Sequence, residues 1–139
     1  MKKLNRSEQR EVIMTALYQI SLYEKTKMPY NIDNVISELV EIDNDFIKNT
    51  VHGVLENINE IDSLANKYLT DWDIERLGKT DQAILRLGIY ELNFTDTPDI
   101  VCINEAIDLS KKFSDDNVRK MINSVLDKIY NARLDKNAE

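Results

Sequence analysis

The chain is poor in cysteine, proline and glycine, and each shortage excludes a class of structure. Its 139 residues include one cysteine, two prolines and three glycines. The lone Cys102 supports neither a disulfide framework nor a cysteine-based metal site, which favours a reducing compartment and predicts a cytoplasmic protein. So few turn-forming residues argue against an all-β fold, which needs many turns. We therefore expect an all-α protein.

Long apolar segments are absent too. No stretch approaches the roughly 18 consecutive apolar residues of a membrane-spanning helix. The basic start, MKKLNRSEQR, lacks the apolar run that a signal peptide requires. We therefore expect no membrane association.

Charge is distributed unevenly along the chain. The formal net charge is −7, and residues 33–62 carry eight acidic side chains and a single basic one. Residues 1–10 and residues 111–120 each carry four basic side chains. An acidic middle argues against coating by nucleic acid, but it leaves room for a small basic site.

Apolar periodicity predicts six or seven helices within a single domain spanning residues 1–139. The segment DQAILRLGIYELNF is apolar on nearly all sides, so it is expected to be a central helix, with Thr80 as its N-cap. Thr97-Pro98 should end that helix, because the residue before a proline avoids helical backbone. The next helix is expected at residues 103–113.

The first helix has two apolar faces. Asn5 and Glu8 have the spacing of a capping box at its start. A core-facing stripe follows, while Tyr18 points almost the opposite way, with Met14 and Leu22 at four-residue spacing. Either this helix lies between other helices, or its Tyr18 face binds a partner.

The residues nominate no catalytic centre, cofactor or metal site. His52 is the sole histidine, with no cysteine or second histidine nearby to share a metal ion. The three glycines stand far apart and form no phosphate-binding loop. The segment from Asp43 lacks the glycine and the final glutamate of a calcium-binding loop. We therefore expect a binding protein and not an enzyme.

The segment KKFSDDNVRKM, residues 111–121, gathers basic residues around Phe113 at the turn between two predicted helices. The basic residues are Lys111, Lys112, Arg119 and Lys120. Single-stranded RNA is commonly bound by stacking bases on aromatic rings and by holding phosphates with cations. Alternatively, Phe113 closes the end of the core and the acidic residues cap the last helix. Spacing alone leaves both interpretations open.

Several motifs together resemble the NusB family of bacterial transcription antitermination factors. They are REVIMTALYQISLY from Arg10, AILRLGIYEL from Ala83, INEAIDLSKKF from Ile103 and INSVLDKI from Ile122. The resemblance covers essentially the whole chain, in order. It implies an all-α fold of about seven helices in two packed helical sub-bundles, with no catalytic activity and no cofactor.

The same resemblance implies a function and partners. The family binds the boxA element of nascent RNA, chiefly in ribosomal RNA operons, together with a ribosomal small-subunit protein called NusE in this role. The assembly helps RNA polymerase to resist premature termination. The expected partners are therefore single-stranded boxA RNA, NusE and the antitermination complex of RNA polymerase.

The resemblance also assigns site residues by position. The RNA-binding surface falls on Arg6, Arg10, Tyr68, Arg86, Phe113, Asn117, Arg119, Lys120 and Met121. The NusE-binding surface falls on Tyr18, Glu75 and Asp81. Acidic groups suit that partner, because a protein that itself binds RNA is usually basic.

Two segments depart from the family pattern. The N-terminal stretch has fewer arginines than is usual, and KMINSVLD has Met121 and Ser124 where the family usually has an aromatic residue and glycine. A lost ring removes a stacking surface worth about 1–3 kcal/mol, so Met121 is expected to contact RNA more weakly or only to pack. A helical adaptor that binds only proteins, or a homodimer joined through the Tyr18 face, stays open as the alternative.

Overall fold

The computed structural model describes residues 3–138, which form seven α-helices and no β-strand. The helices are α1 (Arg6–Thr26), α2 (Ile32–Leu39), α3 (Asp45–Glu56), α4 (Ile58–Tyr68), α5 (Lys79–Phe94), α6 (Asp99–Phe113) and α7 (Asp116–Ala138). A 3-10 turn, Ile74–Arg76, lies between α4 and α5. The all-α prediction is confirmed. Within residues 3–138, no helix combines the length and the apolar character needed to cross a membrane.

α1 begins where the sequence predicts. The Asn5 side chain accepts a hydrogen bond from the Glu8 N–H at 2.8 Å, and the Glu8 carboxylate accepts one from the Asn5 N–H at 3.0 Å. These are the two reciprocal bonds of a capping box. The helix ends at Thr26, and its C-cap Lys27 has a positive φ of 57° that turns the chain away from the helix axis.

α5 is the central helix, as predicted. It packs against α1, α3, α4, α6 and α7. Its side chains are buried on several sides, and Ile84, Leu85, Leu87 and Ile89 are each at most 2% exposed. A helix surrounded by other helices needs apolar residues on every side. This explains why the apolar residues of α5 are spread around the helix and are not confined to one stripe.

The helices form two groups that pack against each other. α1, α2 and α3 contact one another, while α4, α6 and α7 gather around α5. The groups meet mainly where α1 packs along α5, in agreement with the expected two sub-bundles. α3 also crosses α5 closely, because Gly53 lies against Tyr90. A Cβ at Gly53 would be 2.1 Å from the Tyr90 hydroxyl, so any other residue there would force the Tyr90 ring to move.

Two helices begin earlier than their sequence predicts. α5 begins at Lys79 with Gly78 as its N-cap and no side-chain cap, so the prediction of Thr80 as N-cap is wrong. α6 begins at Asp99, directly after Pro98, and not near residue 103. Proline suits a helix start because its fixed φ matches the helix, and because the N–H that it lacks would have no partner there.

Candidate nucleic-acid interface

The turn between α6 and α7 presents Phe113 to solvent. α6 ends at Phe113, Ser114 is its C-cap, and α7 begins at Asp116. The Asp115 side chain accepts a hydrogen bond from the Val118 N–H at 2.9 Å and thus caps α7. The capping interpretation therefore holds for Asp115. Phe113 is 41% exposed, however, and does not close the core.

Lys112 lies next to the exposed ring and is held by α1. Its Nζ atom is 5.4 Å from the centroid of the Phe113 ring, within the range of a cation–π contact. The same ammonium forms an ion pair with Glu11. A phosphate that binds Lys112 must therefore compete with the Glu11 carboxylate.

The other polar residues of the turn differ in their availability. Lys111, Asn117 and Lys120 are exposed. Arg119 is partly buried, and its Nη2 atom lies 3.3 Å from Asp116 Oδ1. The exposed lysines are therefore the turn's most accessible cations for an anionic ligand.

The N-terminal end of α1 lies beside α6. The Ser7 hydroxyl donates a hydrogen bond to Glu105 Oε1 at 2.8 Å, which joins the two helices. Arg6 is exposed, and the central carbon of its guanidinium lies 4.1 Å from the centroid of the Phe46 ring. Lys2 of the same basic stretch lies outside the described residues. The structure thus brings the α1 end that carries Arg6 against the helix that ends at the exposed turn.

Arg10 is buried and does not present its charge to solvent. It is 3% exposed, and its Nε and Nη2 atoms donate to the two Glu91 carboxylate oxygens at 2.7 and 2.8 Å. Its Nη1 atom lies 3.4 Å from Glu105 Oε1. Burial alone would lower the pKa of Arg10, but the hydrogen bonds and charge of Glu91, together with Glu105, raise it. The residue remains a cation whose charge is already balanced.

Arg86 is neutralised in the same way on another side of α5. It is 7% exposed, and it donates two hydrogen bonds of 2.9 Å to the carboxylate of Asp62. Arg86 Nη2 also donates to Glu75 Oε1, at 3.3 Å. These partners belong to α4 and to the 3-10 turn, and not to α6 or α7. The predicted RNA-binding residue Tyr68 ends α4, where it packs partly buried against the core.

Met121 is one helical turn into α7 and packs, partly buried, against the hydrophobic core. The sequence left two roles open for Met121, a weak RNA contact or packing alone. The contacts in the structure are those of packing. Ile122 and Val125, on the same helix, are fully buried.

The three predicted partner-binding residues occupy different settings. Tyr18 is 37% exposed on α1, and Leu22 is exposed to the same extent, whereas Met14 is buried. The expected second apolar face of α1 is thus shorter than predicted. The side chain of Glu75 is 64% exposed. Asp81 lies in the first turn of α5, where its carboxylate accepts a hydrogen bond from the Ser114 hydroxyl.

Sequence reasoning missed the acidic partners of the buried arginines. Glu91 stands in a largely apolar helix, and a charge that is buried there must be paired. That signal was present for Glu91, but nothing local identified Arg10 as its partner.

Among residues 3–138, no group of three histidine, cysteine, aspartate or glutamate side chains could hold a metal ion. His52 instead bonds Asp33 at 2.8 Å, and this bond lowers the pKa of Asp33.

The described residues thus form an all-α helical protein that exposes an aromatic ring, Phe113, beside lysines. The NusB family model matches residues 7–131. A transcription antitermination protein NusB from Campylobacter jejuni is 40% identical over 130 residues, which cover 92% of this chain and 97% of the relative. One from Macrococcus caseolyticus is 41% identical over 128 residues, covering 91% and 96%. The chain therefore belongs to the NusB family of transcription antitermination factors, which are regulatory proteins and not enzymes.

Solved structures agree with this assignment. Thermotoga maritima NusB superposes with a TM-score of 0.80 at 30% identity over 92% of both chains. A chain from a crystal structure of antitermination factors NusB and NusE in complex with double-stranded RNA gives a TM-score of 0.77 at 32% identity, covering 91% of this chain and 96% of that one.

Proposed function

We propose that residues 1–139 act as one RNA-binding domain that recognises single-stranded boxA RNA in nascent transcripts, chiefly those of ribosomal RNA operons. NusE binds alongside, and the assembly joins the antitermination complex of RNA polymerase in the cytoplasm. The observation that carries the proposal is the exposed Phe113 ring at a turn bearing lysines. The complex of a related NusB chain with NusE and double-stranded RNA supports the association with NusE and with RNA.

The exposed residues make the direct RNA contacts. Phe113 offers a flat apolar surface on which an unpaired base stacks, and Lys120 holds a neighbouring phosphate. Asn117 is exposed on the same turn and can both donate and accept hydrogen bonds at a base edge. Arg6, on the adjacent end of α1, extends the positive surface. Arg119 contributes charge from a partly buried position.

The buried members of the proposed site act by holding the helices in place. Arg10 joins α1 to α5 and α6 through Glu91 and Glu105, so it fixes the helix end that presents Arg6. Arg86 joins α5 to α4. Tyr68 and Met121 contribute mainly packing.

NusE binds the surface that includes Tyr18, Glu75 and Asp81. Glu75 is well exposed, and Tyr18 supplies a half-exposed ring of the kind that is enriched in protein interfaces. Because Asp81 binds Ser114, this surface is linked to the α6–α7 turn. A basic partner bound to this surface adds positive charge near the α6–α7 turn, and that charge also attracts the RNA.

The proposal is tested by fluorescence anisotropy with a labelled boxA RNA, with and without NusE. We expect Phe113→Ala to weaken RNA binding by about 1–3 kcal/mol, the usual contribution of one stacked base. Folding should be retained, because the ring is already 41% exposed. Ile100→Ala is the matched control, since Ile100 is a 70% exposed apolar residue at the opposite end of α6. Equal RNA affinity of wild type and Phe113→Ala would contradict the proposed site.

Met121→Ala separates packing from RNA contact. It should lower the free energy of unfolding and leave RNA affinity close to that of the wild type when both are folded. A variant that folds normally but loses as much affinity as Phe113→Ala would show that Met121 contacts RNA directly.

A protein-only adaptor or homodimer is the second candidate, and the exposed Tyr18 and Leu22 on α1 favour it. It predicts no RNA binding even at low salt. Sedimentation of the wild type and of Tyr18→Asp measures self-association through this face.

A further inference from the structure

Trp72 is the only tryptophan in the chain, and it is exposed. It lies in the loop between α4 and the 3-10 turn, and 51% of its surface is accessible to solvent. Tryptophan is usually largely buried on folding, and exposed tryptophans are enriched at the energetic centres of protein interfaces. Neither the core nor the proposed RNA contacts explain why this position carries an indole ring.

The loop that carries Trp72 is anchored on both sides. Leu69 before it is 5% exposed, and Ile74 after it is fully buried. The Ile74 N–H donates to Asn66 Oδ1 at 2.8 Å, and the Glu75 N–H donates to Asp73 Oδ1 at the same distance. An exposed ring on a fixed backbone loses little conformational freedom when a partner covers it.

The surroundings of the ring are acidic. Trp72 lines a shallow, open surface depression together with Asp71, Asp73, Glu75 and Arg76, so its neighbours include three carboxylates and one guanidinium. Carboxylates repel RNA phosphates, which argues against RNA as the occupant. They attract a cation, and an indole face is the aromatic surface that binds cations best.

We propose that Trp72 and the acidic residues around it form a docking point for a lysine or arginine side chain of the basic protein partner. This inference rests on the proposed function and deepens it, because Glu75 lies both in this depression and in the proposed NusE surface. The cation lies over the indole face while Asp71 and Asp73 hold its charge, and the aliphatic stem of the side chain covers the ring.

The sole tryptophan reports directly on this contact. We expect its emission to shift to shorter wavelength when the protein is titrated with a tryptophan-free form of NusE, because the partner removes water from the indole. Trp72→Ala should weaken NusE binding by about tenfold or more, the range of an interface residue that contributes strongly. Trp72→Phe should retain part of the affinity, since it keeps an aromatic face.

Two controls distinguish this docking point from a general effect on folding or on RNA binding. Ile42→Ala removes an apolar residue of similar exposure, 49%, and should leave NusE binding unchanged. Binding of boxA RNA alone should be the same for Trp72→Ala and the wild type. A loss of RNA affinity in Trp72→Ala would overturn the inference by making Trp72 an RNA contact.

The electrostatic part is testable without a partner. In the free protein, caesium ions should quench Trp72 fluorescence more efficiently than iodide does, relative to a neutral tryptophan derivative, because the carboxylates concentrate cations. Stronger quenching by iodide would overturn the proposed cation preference.

The outcomes also separate this inference from the proposed function. If the wild type binds NusE but Trp72→Ala binds it equally well, the docking point is wrong and the function stands. If the wild type does not bind NusE at all, both the partner role and the docking point are wrong.

Discussion

The Arg10–Glu91 ion pair is buried deeply enough that removing one partner leaves an unbalanced charge. Both side chains are at most 4% exposed and share two short hydrogen bonds. We expect Arg10→Ala to lower the free energy of unfolding by about 3–5 kcal/mol, because the Glu91 carboxylate then loses its partner in the interior. Urea denaturation followed by circular dichroism measures this.

Arg6→Ala is the matched control for Arg10→Ala. Arg6 is exposed one helical turn earlier and contacts the Phe46 ring and Gln9, so its loss should lower stability by no more than about 1 kcal/mol. It should still weaken RNA binding if the proposed contact exists. Wild-type stability in Arg10→Ala would refute the structural role of the buried pair.

Cys102 should be chemically inert while the protein is folded. Burial, with a contribution from Glu91, raises the pKa of its thiol to about 12 from an ordinary value of 9.0. The folded state thus holds this proton more tightly than the unfolded state does. The stability that results is fully present below pH 9.0 and is lost as the pH rises towards 12.

Thiol labelling at pH 8 checks the state of Cys102. The native protein should react slowly with a disulfide reagent such as dithiobis-nitrobenzoate, whereas one thiol should react at once after guanidinium is added. Rapid, complete labelling of the native protein would show that the thiol is accessible.

The roles of several single residues depend on contacts between positions far apart in the chain, which the sequence alone does not reveal. Arg10 was predicted from the family resemblance to bind RNA, and its partner Glu91 lies 81 positions away. Only packing of α1 along α5 brings the two together. The residue after Phe113 is likewise held by a distant partner, since the Ser114 hydroxyl donates to Asp81, 33 positions away.

At the scale of helices, the Asp115 side chain caps the start of α7 at the α6–α7 turn. Asp115→Ala removes the acceptor for the Val118 N–H and should lower the free energy of unfolding by about 1 kcal/mol. Asp115→Asn should be close to wild type, because asparagine is an equally good cap. Thermal unfolding of the two variants measures the difference, and equal losses in both would mean that the negative charge of Asp115, and not its hydrogen bond, stabilises the helix.

Helix ends were predictable where local side chains set them. The capping box of α1 needs only Asn5 and Glu8, and it was predicted correctly. α5 starts at Lys79 without a side-chain cap, so no capping residue in the sequence marks its start. α6 starts at Asp99, but Ile100 and Val101 in its first turn are exposed, so the buried stripe of the helix begins only at Cys102.

At the scale of the whole molecule, an acidic protein is proposed to bind an acidic polymer. The all-apolar pattern of α5 was enough to predict a central helix, whereas the two sub-bundles followed from the family resemblance. The net charge of −7 opposes RNA at long range, while the exposed cations near Phe113 attract it at short range. Binding should therefore depend on a few contacts and on the additional charge of the partner.

The salt dependence of RNA binding measures how many contacts there are. Each phosphate neutralised on single-stranded nucleic acid contributes about −0.7 to the slope of log K against log salt concentration. With Arg6, Lys111 and Lys120 exposed and Arg119 partly so, we expect a slope of about −2 to −4 for this protein alone. Anisotropy titrations at several salt concentrations give the slope, and added NusE should make it steeper because NusE contributes further cations. A slope twice as steep without NusE would require phosphate contacts well beyond the α6–α7 turn. A slope near zero would mean that the protein holds no phosphate and that RNA binds only by stacking on Phe113.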